Sequence, residues 1–288
     1  MTSKQKGILF IILSSFFFAL MNSFVKLAGD VPPIEKAFFR NLGALIIASC
    51  VILKRRESIK PKAGNLPLLI SRSIFGTIGI ICNFYALSHL GLSDASSLSK
   101  LAPFFVVLFS FLFLKENLKF YHIAAITLAF IASLLIVKPT GFSTTSNYSF
   151  YALIATFGSM SAGAAYTCIR ALSKNQESPP LIVFFFSFIS CIIMLPLLIY
   201  FYKPMKTIQF FYLILASISG ALAQFSVTTA YIKAPGKEIS LYDYSQVIFA
   251  SFMGYILYRD MPDIYSLLGY ILIFLASFHI FLKSSRSI

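Results

Sequence analysis

Arg72–Leu118 reads RSIFGTIGIICNFYALSHLGLSDASSLSKLAPFFVVLFSFLFLKENL, and this stretch decides the fold. It holds two apolar runs, near 68–88 and 93–114, joined by a short turn around Gly91–Asp94. Crossing about 30 Å of hydrocarbon takes about 20 apolar residues at 1.5 Å of rise each. Each run therefore spans a bilayer once, and the pair forms a transmembrane hairpin. The runs are continuous, so the short alternating strands of a β-barrel are excluded.

Outward from this hairpin the same pattern covers the chain. Further spans fall near 7–28, 34–53, 120–138, 149–170, 180–202, 208–231, 237–258 and 263–283, making ten. The first, preceded by Lys4 and Lys6, is longer than a signal-peptide core and has no small-x-small cleavage site before Lys26. It is expected to be retained. Composition agrees: 58% of the 288 residues are hydrophobic, 12% are charged, and mean hydropathy is +0.83. Soluble domains carry about 25% charged residues, so this chain cannot cover a soluble fold of its size. Four cysteines, all within apolar runs and without metal-ligand spacing, exclude a disulfide scaffold and read as small hydrophobes.

The formal charge of +14 is largely a topological signal. With the N-terminus inside, the inner loops hold Lys4, Lys6, Lys54, Arg55, Arg56, Lys60, Lys62, Lys115, Lys119, Lys174, Lys233, Lys237, Lys283 and Arg286. The outer loops hold only Lys138, Lys203, Lys206 and Arg259. Both termini are expected in the cytoplasm of a cell whose inner membrane holds the protein. No basic stretch is interleaved with aromatics on a soluble surface, so no nucleic acid is expected as a partner.

A shift of 144 residues lays the second half on the first. Ser73, Ile74 and Gly76 meet Ser217, Ile218 and Gly220; Asp94 meets Glu238; Glu116 meets Asp260; Lys26 meets Arg170. Tyr121, Leu128, Phe130, Ala132, Ser133 and Ile136 meet identical residues at Tyr265, Leu272, Phe274, Ala276, Ser277 and Ile280. Three extra residues bring Pro32-Pro33 onto Pro179-Pro180. Residues 1–144 and 145–288 are thus read as two five-helix repeats. An odd number of spans per repeat gives the halves opposite orientations, a recurring plan of secondary transporters with a midplane site.

The stretch quoted first, followed by an apolar run ending IVKP at Pro139, resembles the repeat of the drug/metabolite transporter superfamily. More narrowly it resembles the ten-helix bacterial EamA-type carriers. The matching elements are Arg72 and Gly76 in the third span, Phe84-Tyr85-Ala86-Leu87, the Asp94-Ala95 turn, Pro103, and the exit at Leu114-Lys115-Glu116. In the second half, SLYDYSQVIFASFMGYILYRDMPD (240–263) resembles the family's Tyr-rich stretch, with Asp260 in place of the commoner Glu. The resemblance implies an all-α polytopic membrane protein of ten transmembrane helices as two inverted repeats. It implies transport of amino acids, other metabolites, S-adenosylmethionine, or nucleotide sugars and sugar phosphates, without fixing which.

Polar residues inside hydrocarbon are costly, about 2.5–3.5 kcal/mol for a charge on insertion scales, so each is a candidate. Lys100 and Arg40 lie about seven residues below the outer surface, and Lys26 near it on the same face as Asn22. Snorkelling to the headgroups competes with substrate binding for each of the three basic residues. Ser96, Ser99, Lys100 and Pro103 share a face, and the repeat-related stripe is Ser240, Asp243, Tyr244 and Val247. Asp243 enters from the inner side, so it pairs with Lys100 only with helix bending or in one conformational state, or else pairs with Lys237 or Lys233 near the interface. Asn83, Tyr85, Tyr166, Gln224, Tyr242 and Gln246 complete the candidates, with interhelical hydrogen bonding or interfacial anchoring as the rival reading. Arg72 and Arg170 are expected near the inner interface.

His89, His122 and His279 are scattered and give no metal site. No Walker-type phosphate loop is present to drive an ATP pump. Neither catalysis nor a cofactor is expected. The sequence points to a secondary carrier that moves a small polar metabolite by alternating access, amino acids and derivatives first, S-adenosylmethionine-like compounds included. Asp243 is the candidate for a substrate cation or for proton coupling. An exchanger of organic anions, sugar phosphates or nucleotide sugars stays open, as do a channel and a scaffold that transports nothing. Small metabolites and membrane lipid are the expected partners.

Overall fold

In a computed structural model of the chain, residues 2–89, 98–117, 119–137, 148–258 and 264–285 are described below. They hold ten long helices and, among the described residues, no strand. These are α1 (Ser3–Leu27), α2 (Pro33–Arg55), α3 (Leu66–His89), α4 (Ala102–Leu114), α5 (Phe120–Val137), α6 (Tyr148–Lys174), α7 (Pro179–Phe201), α8 (Thr207–Lys233), α9 (Ser245–Tyr258) and α10 (Ile264–Ser285). Six of them, α1, α2, α3, α6, α7 and α8, are each long and apolar enough to cross a membrane. The protein is a polytopic membrane protein.

Local chemistry sets the helix ends. Thr2 and Gln5 cap α1 reciprocally: the Gln5 amide donates to Thr2 Oγ1 at 3.2 Å, and the Thr2 amide to Gln5 Oε1 at 2.9 Å. The repeated proline pairs each open a helix, α2 at Pro33 and α7 at Pro179, where a missing N–H costs nothing. Large apolar side chains such as Leu53, Phe113, Ile199 and Phe274 stay exposed. Lipid covers such a surface, while the backbone groups are satisfied inside the helices.

Packing between the halves obeys an exchange rule. α2 packs on its counterpart α7, and α5 on its counterpart α10. α1 packs on α8 as α6 packs on α3; α2 on α8 as α7 on α3; α1 on α9 as α6 on α4. Every one of these inter-half contacts therefore recurs with the halves swapped. The equivalence reaches single residues. On α6 and α3, a Cβ added to Gly158 would lie 3.3 Å from the Gly79 carbonyl oxygen. Their counterparts are Ser14 and Ala223, and Ser14 Oγ donates to the Ala223 carbonyl at 3.0 Å. Small residues let both helix pairs approach closely.

Buried carboxylates tie the two halves at opposite ends. At the end where α1 starts (the terminal end), Glu177 Oε2 accepts from the Lys62 amide at 3.1 Å and from Asn65 Nδ2 at 2.7 Å. Asn175 Nδ2 donates to Asn65 Oδ1 at 2.7 Å. At the far end, Glu35 Oε1 accepts from the Lys203 amide at 2.6 Å. Glu35 thus holds the α7–α8 loop.

Two expected helices prove discontinuous. The span 93–114 has a turn at Lys100–Leu101 before α4, and Pro103 sits in the first turn of α4 with no N–H to give. The span 237–258 breaks into a one-turn helix Gly236–Ile239, a 3₁₀ turn Ser240–Tyr244, and α9. Lys100 and Tyr244 are repeat equivalents, so the same level is irregular in both halves. The Asp94–Glu238 and Glu116–Asp260 correspondences, and outer-loop Lys138 and Arg259, involve positions outside the described residues, as does Arg286.

Candidate functional site

The two breaks meet. Tyr244 is fully buried, and its hydroxyl donates to the Lys100 carbonyl at 2.8 Å. The Lys100 ammonium, also buried, donates to Gln246 Oε1 at 2.8 Å. Asp243 follows in the same 3₁₀ turn, its carbonyl accepting from Ser15 Oγ at 3.4 Å. Its carboxylate and the Lys100 ammonium act on each other electrostatically but form no ion pair within 4 Å. The 3₁₀ turn supplies the bend that brings Lys100 and Asp243 together. Pairing of Asp243 with Lys237 is overturned, because Lys237 Nζ donates to the Asn117 carbonyl at 2.5 Å.

Tyr166 of α6 stands beside this junction. Its ring stacks on Tyr231 of α8 with centroids 5.1 Å apart and planes 9° apart. Its hydroxyl interacts electrostatically with Arg40, Arg72 and Asp243 together. Arg40 lies over the Phe18 ring at 5.6 Å, and Arg72 over the Phe186 ring at 4.0 Å. The expectation for Arg72 is corrected. It is 2% exposed and reaches no headgroup, because its side chain runs up α3 and puts Nη1 against Gly76. Arg170 does lie at the terminal end, where its Nε is 3.4 Å from Glu116 Oε1.

Exposure along single helix faces shows where the bundle opens. On α1, Ser15, Phe18, Asn22 and Lys26 follow at spacings of three and four, hence on one face. Ser15 and Phe18 are buried, whereas Asn22 and Lys26 are exposed. On α3, Arg72, Gly76, Gly79 and Asn83 do the same: the first three are buried and Asn83 is exposed. A face that is interior near the terminal end thus loses its cover toward the far end. At the terminal end the bundle is tied by Arg170 to Glu116, by Lys4 to Glu238 at 3.3 Å, and by Ser3 Oγ to the Lys233 carbonyl at 2.8 Å.

Some candidates stand apart. Tyr85 is exposed and joins His89 and Tyr151 in an aromatic group near the far end, the arrangement of an interfacial anchor. Gln224 is buried, but its amide donates along its own helix to Thr228 Oγ1 at 3.4 Å. Tyr242 is buried under Ser245, whose hydroxyl donates to the Tyr242 carbonyl at 2.7 Å. Tyr231, Ser15 and Arg72 are the polar members of the site that sequence reasoning missed. The Ser15–Phe18–Asn22 spacing was a usable signal for the second of these. A shallow cavity of about 400 Å³ beside the α7–α8 loop is lined by Phe39, Tyr202, Met205, Thr207 and Phe210, away from these groups.

Comparison with known proteins agrees with this architecture. The profile of the EamA-like transporter family matches residues 5–138 and again 149–282. The pseudopaline exporter CntI of Pseudomonas aeruginosa is 31% identical over 275 residues, covering 94% of each chain. An uncharacterized transporter of Helicobacter pylori is 25% identical, covering 93% of this chain and 91% of its own. One solved structure superposes with a TM-score of 0.86 at 15% identity, covering 98% of this chain and 99% of its own, which shows the fold.

Proposed function

The chain belongs to the EamA-like transporter family, and from that premise we propose that it is a secondary carrier for a small zwitterionic metabolite, an amino acid or a derivative. The observation that carries this is the junction of the two broken helices. There Lys100 and Asp243 present opposite charges, not joined in an ion pair, at the seam between the halves. Broken helices at a repeat interface are where secondary transporters bind their substrates. Lys100 meets the solute's carboxylate and Asp243 its cationic group, while Gln246, Tyr244 and Tyr166 furnish neutral hydrogen-bonding partners.

The exchange rule of the packing supports alternating access as the mechanism. Among the described residues, the faces of α1 and α3 are uncovered toward the far end, and the bundle is tied at the terminal end. Swapping the roles of the halves would yield the converse state with the same helix pairs in contact. The Lys/Arg bias supports placing the terminal end in the cytoplasm, with the carrier in a bacterial inner membrane. The kinship to a pseudopaline exporter supports outward movement of a small polar metabolite.

Proteoliposomes test the reading. Vesicles loaded with unlabelled amino acids or their derivatives should accumulate the labelled compound by counterflow. A folded Lys100→Met protein should lose at least nine-tenths of that counterflow. Ohmic single-channel currents would instead mark a channel. No saturable counterflow with any zwitterion would reject the carrier reading.

A further inference from the structure

Gly76 and Gly220 are repeat equivalents; the first gives up its side-chain space to the Arg72 guanidinium, the second to Met21 and the stem of Arg40. A Cβ on Gly76 would collide with Arg72 Nη1 and come within 2.6 Å of the Phe186 ring. A Cβ on Gly220 would come within 3.1 Å of Arg40 Cγ and 2.9 Å of Met21 Sδ. Gly76 is ten residues into α3, or about 15 Å along the helix. The Arg72 guanidinium therefore sits near the bilayer midplane, well above its own Cα. Arg40 acts electrostatically on Arg72, and both guanidinia act on the Tyr166 hydroxyl.

Like charges within electrostatic reach in low dielectric repel, which favours a compensating anion. None is present among the described residues: no carboxylate lies within 4 Å of either guanidinium. Asp243 acts on Lys100 and on the Tyr166 hydroxyl but forms no ion pair with either arginine. Moreover, Arg72 Nε and Nη1 are buried without hydrogen-bond partners, an expensive condition for charged donors. Phe18 and Phe186 cover one side of each guanidinium, which holds the groups in place without spending their N–H donors.

We propose that Arg72 and Arg40, lodged against Gly76 and Gly220, form a midplane oxyanion site that binds a second carboxylate of the transported molecule. This rests on the carrier reading above and extends it: the solute bears one cationic group for Asp243 and at least two anionic groups, one for Lys100 and one for the arginine pair. Guanidinium suits this role, since its planar donors match a carboxylate and it is less tightly hydrated than an ammonium.

The test is binding by the purified full chain in detergent, read by thermal unfolding and calorimetry at matched ionic strength. The probes are L-glutamate, citrate, acetate, sulfate and chloride. L-Glutamate and citrate should bind saturably, at least tenfold more tightly than acetate, and chloride should have no specific effect. Arg72→Gln and Arg40→Gln should each raise the citrate Kd at least tenfold. Gly76→Ala should do the same with every charge retained, because the methyl displaces the guanidinium. Where Arg72→Gln does not fold, Arg72→Lys supplies the test, since it keeps the charge and loses the planar fork. Unchanged citrate affinity in a folded Arg72 or Arg40 variant overturns the site. Binding of sulfate without either carboxylate makes it a site for free inorganic anion and overturns its assignment to the solute. Binding that follows these expectations without counterflow of any zwitterion would reject the carrier reading alone. Counterflow insensitive to both arginines would reject the second carboxylate alone.

Discussion

Glu177 is the side chain whose removal has the most calculable effect. Its Oε2 holds the Lys62 amide at 3.1 Å and Asn65 Nδ2 at 2.7 Å, and Asn65 is fully buried. Glu177→Ala leaves two donors without an acceptor. The buried Asn65 donor costs about 1–3 kcal/mol when orphaned, and the Lys62 amide, on an exposed residue, adds about 1 kcal/mol. Deleting a buried carboxylate also lifts its desolvation penalty, which brings the net loss to about 1–3 kcal/mol. Glu177→Gln keeps a carbonyl oxygen in place and should cost about 1 kcal/mol. Thermal unfolding in detergent, followed by the loss of the monodisperse chromatographic peak, should show the Glu177→Ala variant melting several degrees lower. The far-end counterpart, Glu35→Ala, strands only the Lys203 amide and should lose about 1–3 kcal/mol. The ties share no partner and lie at opposite ends, so the double variant should be additive within about 0.5 kcal/mol. A Glu177→Ala protein as stable as the parent would refute the buried tie. Strong non-additivity would refute the placement of the two ties at separate ends.

Arg170→Gln removes the contacts with Glu116 and with the Ile232 carbonyl, 3.3 Å away. A partly buried pair is worth about 1 kcal/mol, so opening of the terminal end should rise about fivefold, read as faster thiol labelling of Cys168 in a Cys50→Ser background; an unchanged rate counts against the tie as a closure. Asp243→Asn keeps the shape of the 3₁₀ turn. If the carboxylate meets the solute's cation, counterflow of zwitterions is lost at every pH; if it couples protons, exchange survives and the response to a pH gradient disappears. Normal behaviour on both counts removes Asp243 from the mechanism. Reporter fusions to either terminus should be active only in the cytoplasm, and activity confined to the periplasmic side would reverse the orientation.

Helix positions were readable because hydrocarbon thickness and the repeat both constrain them, and the proline pairs mark the starts of α2 and α7 directly. The broken segments were half legible. Pro103 announces an interruption near Lys100, whereas nothing in SLYDY (240–244) marks a 3₁₀ turn. That turn is imposed by packing, with Tyr244 reaching across to the other half. Counting residues from the membrane surface located Arg40 and Lys100 but misplaced Arg72. Depth counted along the backbone ignores a long side chain laid over a glycine one turn further on. Tyr85 and Gln224 illustrate the converse error. A polar residue type inside an apolar run does not disclose whether its neighbours are rings, its own helix or open space.

The intimate pairing of α1 with α8 has a bearing on how the protein is made. Ser14 finds its acceptor 209 residues later in the chain, at Ala223. Translation at about 5–20 residues per second leaves about 10–40 s between the emergence of the two. During that interval α1 waits in the bilayer with Ser14 and the small-residue face around Gly7 uncovered, since Gly7 packs against Ala230 and Ala234 of the region that closes over it last. Insertases, chaperoning lipids or a stray small-residue helix from another nascent protein have that window in which to engage the first span. Quality control of this carrier should therefore act on its earliest segment, and truncated products ending before α8 should be cleared quickly despite containing a complete five-helix half.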